Sequence, residues 1–160
     1  MKIYLIGMPG AGKSTIGKKL AAALNTNFVD LDDYIAETNH MFVEDIIHQY
    51  GEQVFREKES LALSELSDFT GVISTGGGVV TVKKNKALMN GIKIYLDTPI
   101  ETIKVRLENS FQRPLLKTQS LDDLYDKRFL KYQDFADVIV SNHDTVTSCV
   151  ERILKAIEVK

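Results

Sequence analysis

Residues Gly7, Met8, Pro9, Gly10, Ala11, Gly12, Lys13 and Ser14 stand in the spacing G-x-x-x-x-G-K-[ST]. Such a loop curls so that several backbone N–H groups point inward at phosphate oxygens. The apolar run from Ile3 to Ile6 precedes it and an amphipathic stretch follows it, the strand–loop–helix setting that the chemistry requires. The start of that helix adds the positive end of its dipole. Gly10, Ala11 and Gly12 are expected to cradle phosphates with their backbone, and Lys13 to reach the β- and γ-phosphates of a nucleotide. The Ser14 hydroxyl suits Mg²⁺, and Thr15 the α-phosphate. The competing reading, a glycine-rich turn with no ligand, explains neither the lysine nor the flanks.

A metal-bound nucleotide also needs a carboxylate at the end of a neighbouring strand. Asp30 and Asp97 both end apolar runs. Asp30 stands two residues before Asp32, so in one strand the two would share a face and point into one cleft. One would then serve Mg²⁺ through water and the other an acceptor hydroxyl. Alternatively, Asp32 or Asp33 caps the following helix. For Asp97, a cap before Pro99 is the better reading.

Two further features ask for a partner. Gly76, Gly77 and Gly78 are consecutive, which costs backbone entropy that one ordinary turn does not require. They admit a ligand close to the main chain, with a flexible turn as the alternative. Arg113 lies in residues 109–120, which lack periodicity and suit a loop that closes over a phosphoryl transfer and excludes water. Arg56 and Arg128, taken alone, fit solvated helix arginines.

Five short apolar runs, at Ile3–Ile6, Phe28–Leu31, Val72–Ser74, Ile92–Leu96 and Val138–Val140, are predicted strands. Helices are predicted over residues 14–24, over 33–68 with breaks near Asn39 and at Gly51, near 82–90, from Pro99 to about Leu107, over 121–135, and at the C-terminus. The last presents Val146, Val150, Ile153 and Ile157 on one face. Alternating strands and helices imply an α/β fold: a three-layer arrangement with a five-stranded parallel sheet covered on both faces. Ligands of such sheets bind beyond the carboxyl ends of the strands, where the Gly7 loop, Asp30 and the triple glycine all fall. The 160 residues suit one domain, 1–160. Twenty basic against 22 acidic residues, a net charge of −2, excludes a dedicated nucleic-acid binder. No apolar run approaches the roughly 20 residues of a membrane span, and the apolar N-terminal run is too short for a signal peptide. One cysteine excludes an internal disulfide framework and a Cys-based zinc site, and suits a reducing, cytoplasmic setting. Cys149 reads as core.

In order along nearly the whole chain, GMPGAGKST, DLD, GEQVFREKE, STGGGVV, RPLL and DKRFLKY make the sequence resemble the shikimate kinases. The resemblance implies the nucleoside monophosphate kinase-like P-loop fold, ATP and shikimate as substrates, Mg²⁺, and a monomer. It implies that Lys13 and the loop bind ATP, that Ser14 binds the metal, and that Asp30 holds it through water. Asp32 would bind the acceptor hydroxyls and act as base. Arg56 and Arg128 would grip the substrate carboxylate beside Gly77 and Gly78, with Glu59 orienting Arg56 and Phe55 packing on the ring. Arg113 would be the arginine of a mobile lid over about 109–122, with substrate-binding helices over about 33–60, and Arg106 would lie against adenine. One departure is the lack of a proline near Thr147, where the family often completes the adenine sandwich. A gluconate kinase, a nucleoside monophosphate kinase and a non-catalytic nucleotide-binding regulator are the rival readings.

Overall fold

A computed structural model describes residues 1–108 and 120–158. The expected lid residue Arg113, and the lid itself up to residue 119, lie outside the described residues. The described chain runs β1 (Lys2–Ile6), α1 (Lys13–Ala23), β2 (Phe28–Asp30), α2 (Leu31–Asn39), α3 (Val43–Tyr50), α4 (Glu52–Glu65) and β3 (Gly71–Ser74). It continues with a 3₁₀ turn (Val79–Thr81), α5 (Asn85–Leu88), β4 (Ile92–Asp97), α6 (Ile100–Glu108), α7 (Leu121–Phe135), β5 (Val138–Ser141) and α8 (Val146–Glu158). The strands form one sheet in the order β2-β3-β1-β4-β5. Every neighbouring pair is parallel, so all five carboxyl ends open on one edge.

The sheet is buried on both faces because its strands are apolar at successive positions. Along β1, Ile3 and Leu5 point into one core with Ile16, Leu20, Val150 and Ile153. Tyr4 and Ile6 point into the other with Leu31, Leu63 and Tyr132. Helices α1 and α8 therefore cover one face, and α2, α4 and α7 the other. The stripe predicted for α8 is buried at Val150, Ile153 and Ile157, and Cys149 joins it with no exposed surface.

Three local differences follow from side-chain chemistry. The run expected as a strand to Leu31 stops at Asp30, and α2 begins at Leu31. Asp30, extended at φ −94° and ψ 122°, caps that helix by accepting from the Asp33 N–H at 3.0 Å. Asp32 is thus in the first turn of a helix, and the shared strand face with Asp30 does not exist. The helix expected near 82–90 shrinks to the single α turn Asn85–Leu88, after a 3₁₀ turn at Val79–Thr81. That turn ends at Leu88, three residues before Gly91, whose Cα packs so closely on the Lys2 backbone that a Cβ would lie 2.5 Å from its carbonyl oxygen. The breaks expected near Asn39 and at Gly51 are present, at His40 (φ 53°) and Gly51 (φ 92°).

Candidate active site

At the carboxyl edge of the sheet a cavity of about 530 Å³ opens between the Gly7 loop, the starts of α2 and α3, α4, the triple glycine, α6 and α7. Gly10 and Gly12 adopt left-handed φ values of 81° and 87°, a conformation that a Cβ disfavours. Gly12 is the N-cap of α1 and no side chain caps that helix, so its first N–H groups and positive dipole end face the loop. The Lys13 ammonium turns back into the loop and donates to the Gly7 and Met8 carbonyls at 2.8 Å each. Gly10, Gly12, Lys13, Ser14 and Thr15 all line the cavity. Ala11 does not: it is fully buried and its N–H bonds to the Met8 carbonyl at 3.2 Å. Behind the loop, the buried Asn142 amide donates to the Ala11 carbonyl at 2.8 Å and to the Thr98 hydroxyl at 2.9 Å. That brace ties the loop to the ends of β4 and β5, and nothing in the sequence pattern announced it.

Asp30 does two things at once. One carboxylate oxygen caps α2, and the other accepts from the Ser14 hydroxyl and, at 3.3 Å, from the Ser74 hydroxyl. The capping role that the sequence offered to Asp32 or Asp33 falls to Asp30, and it coexists with a place in the site because a carboxylate has two oxygens. Asp32 lines the same cavity from the first turn of α2. Burial, with the charges of Asp30 and Glu37, raises the Asp33 pKa. Asp97 lies outside the cavity, and its carbonyl accepts from the Asn142 N–H.

The opposite wall carries the two arginines. Arg56 is 8% exposed and Arg128 6%, yet both line the cavity. A buried guanidinium is tolerated only when paired. Arg56 donates to Glu59 at 3.0 Å, and to Glu52 through Nε at 3.3 Å and Nη2 at 3.2 Å. Glu59 has no exposed surface, and among the described residues its Oε2 has no hydrogen-bond partner. Desolvation pushes its pKa up to about 7, against the lowering effect of Arg56 and with a further raise from Asp32. Phe55, 3% exposed, closes the floor beside Arg56.

The triple glycine is required by close approach rather than by backbone twist, since none of its residues has a positive φ. A Cβ on Gly77 would lie 2.6 Å from the Pro9 ring, and one on Gly78 would lie 2.1 Å from Arg56 Nη2. The Cα of Gly76 sits between the carboxylates of Asp32 and Glu59, so a Cβ there would come within 3.1 and 3.2 Å of them. At the phosphate-loop end, Arg106 lines the cavity and donates to the Gly10 carbonyl at 3.1 Å.

The described cavity thus brings together Gly10, Gly12, Lys13, Ser14, Thr15, Asp30, Asp32, Phe55, Arg56, Gly77, Gly78, Arg106 and Arg128. Sequence reasoning missed Ser74, which shares Asp30 with Ser14, although its place at the end of β3 was a signal. It also missed Val43, Glu44, Ile47 and Leu124 on the cavity wall, which lie outside the quoted motifs.

A sequence model of the shikimate kinase family matches residues 9–158. A shikimate kinase from Macrococcus caseolyticus is 37% identical over 158 residues, covering 96% of this chain and 94% of that protein. One from Rippkaea orientalis is 42% identical over 165 residues, covering 98% and 88%. Among solved structures, a shikimate kinase from Acinetobacter baumannii in complex with shikimate superposes with a TM-score of 0.94 at 32% identity, covering 99% of this chain and 93% of that one. A gluconokinase from Sinorhizobium meliloti, at 13% identity and a TM-score of 0.63, shares the fold alone. The match in family sequence over almost the full length, on a cavity with a phosphate loop at one end and two buried arginines at the other, shows that the chain belongs to the shikimate kinase family.

Proposed function

We propose that this protein transfers the γ-phosphoryl group of ATP to the 3-hydroxyl of shikimate, giving shikimate 3-phosphate and ADP, in the route to chorismate and the aromatic amino acids. The observation that carries the reading is the pair Arg56 and Arg128, each more than nine-tenths buried and both facing the cavity that begins at the phosphate loop. Two buried guanidinium groups suit a substrate carboxylate, which arginine can hold in a bidentate clamp. In this reading the Gly77 and Gly78 backbone completes the clamp and Phe55 packs on the ring. Lys13 and the loop N–H groups hold the ATP phosphates, and Arg106 lies against the adenine.

Asp32 binds the acceptor hydroxyl and takes its proton as the hydroxyl oxygen bonds to the γ-phosphorus. The bond from that phosphorus to the β,γ-bridging oxygen breaks, and ADP leaves with the electron pair. Arg113 neutralises charge on the transferring group. Catalysis is then mainly positioning and charge neutralisation. The Ser14 hydroxyl and the Asp30 carboxylate share a hydrogen bond and are hard oxygen groups, a pair that would hold Mg²⁺, Ser14 directly and Asp30 through water. Bound there, Mg²⁺ would neutralise charge on the β- and γ-phosphates. We further propose a cytoplasmic monomer.

A panel of acceptors with ATP and Mg²⁺ tests the reading. Shikimate is expected to be phosphorylated far faster than gluconate or any nucleoside monophosphate, and equal rates across the panel would overturn it. Gly78→Ala supplies a second test. The added methyl must displace the Arg56 guanidinium, which Glu52 and Glu59 hold, so the KM for shikimate is expected to rise about tenfold or more while that for ATP stays within twofold. Steady-state kinetics with each substrate varied in turn measures both.

A further inference from the structure

The Tyr132 side chain has no exposed surface and does not line the cavity. Its ring stacks on Tyr95, with centroids 5.0 Å apart and planes at 21°. Its hydroxyl donates to the Gly77 carbonyl oxygen at 2.6 Å, across 55 residues of sequence. Arg128 lies one helical turn earlier, on the same face of α7. One phenol therefore binds the main chain of the triple glycine from the helix face that carries an arginine of the cavity wall.

The peptide plane converts that contact into a directed donor. In a trans peptide the C=O and the following N–H point in opposite directions. Holding the Gly77 carbonyl toward Tyr132, on the side away from the cavity, turns the Gly78 N–H the other way. Among the described residues no backbone acceptor takes that N–H. Glycines hold such an orientation poorly by themselves, since they sample more backbone angles than any other residue. The next carbonyls along the loop are already engaged: Gly76 accepts from the Val79 N–H at 3.2 Å and Gly78 from the Thr81 N–H at 3.0 Å. The Gly77–Gly78 peptide is the remaining one, and the Tyr132 hydroxyl is what holds it.

We propose that Tyr132 is a positioning residue for the acceptor carboxylate: its hydroxyl orients the Gly77–Gly78 peptide, so that a backbone N–H converges with the Arg128 guanidinium on one anion. Burial pushes the Tyr132 pKa up to about 12, so the hydroxyl remains a donor throughout the working pH range. The inference rests on the reading of this wall as the shikimate carboxylate site.

The test is Tyr132→Phe, which removes one oxygen and keeps the stacked ring. Tyr4→Phe is the control, because the Tyr4 hydroxyl bonds to Asn90 at 3.3 Å, at the opposite edge of the sheet. With ATP and Mg²⁺, Tyr132→Phe is expected to raise the KM for shikimate roughly 3- to 10-fold, with the KM for ATP and kcat within twofold of wild type. Calorimetric titration of shikimate into the same protein should show the same loss. Placing 4-aminophenylalanine at position 132, with an N–H donor on the same ring, is expected to bring the KM back to within about twofold of wild type, and it also serves should Tyr132→Phe fail to fold. An unchanged shikimate KM in Tyr132→Phe, equal rises for both substrates, or the same change in Tyr4→Phe would each overturn the proposal by leaving Tyr132 a structural residue only. A wild-type protein that does not phosphorylate shikimate would instead overturn the functional reading, and with it the inference built on it.

Discussion

Arg56→Lys is expected to weaken shikimate binding by about 1.5–3 kcal/mol, with nucleotide affinity nearly unchanged. The guanidinium already serves Glu52 through two nitrogens and Glu59 through a third, and its planar fork can still present N–H groups to a substrate carboxylate. A lysine ammonium has three donors from one atom and cannot span those positions. Titrating shikimate and ATP separately into the variant measures both affinities. Equal loss of both would make Arg56 structural.

Removing the charge altogether has a consequence for stability. Glu59 has a folded-state pKa of about 7, raised from an ordinary 4.5 by burial and held from rising further chiefly by Arg56. A raised carboxyl pKa means that the folded protein keeps its proton while the unfolded chain releases it. Glu59 therefore costs stability as pH climbs from about 4.5, and the cost levels off near 7. In Arg56→Met the pKa moves above 7, so stability goes on falling above neutral pH, by up to ~1.4 kcal/mol per unit. Denaturant titrations are expected to show a larger penalty for Arg56→Met at pH 8 than at pH 6. A penalty independent of pH would mean that Glu59 is not the group being compensated.

Asp32→Asn is expected to lower kcat by about 10²-fold or more, with the KM for ATP within twofold. The substitution keeps the shape and the hydrogen bonding to a hydroxyl but removes the proton acceptor. A loose transition state reduces the demand for a base, which places the expected loss at the lower end for general-base removal. Single-turnover rates with saturating substrates isolate the chemical step. A kcat within threefold of wild type would remove Asp32 from proton transfer and leave it a binding residue.

Much of this molecule is legible one residue at a time. The parallel sheet follows from short runs that are apolar at successive positions, and the α8 stripe from spacing alone. The phosphate loop is readable because its glycines, lysine and serine lie within eight residues, so local geometry almost completes that half of the cavity. The other half is assembled from Asp32, Arg56, Gly77 and Arg128, on four separate elements. Nothing local separates Arg56 from a solvated helix arginine. The motifs in their family order did so, and burial to 8% beside Glu52 and Glu59 supplies the physical ground.

Where the reading of β2 went too far, the cause was a tertiary choice. Asp30 ends the strand because its carboxylate both caps α2 and accepts from Ser14 and Ser74. The triple glycine could be recognised as unusual, but its reason is invisible in one dimension. Pro9, Arg56, Asp32 and Glu59 approach its Cα atoms from other parts of the chain. The amino-acid sequence by itself determined the fold class, the nucleotide end of the cavity and the family. Only the tertiary structure decided which charges are desolvated and which main-chain groups they meet, because burial and close approach belong to the packing of distant segments and not to the order of residues within any one of them.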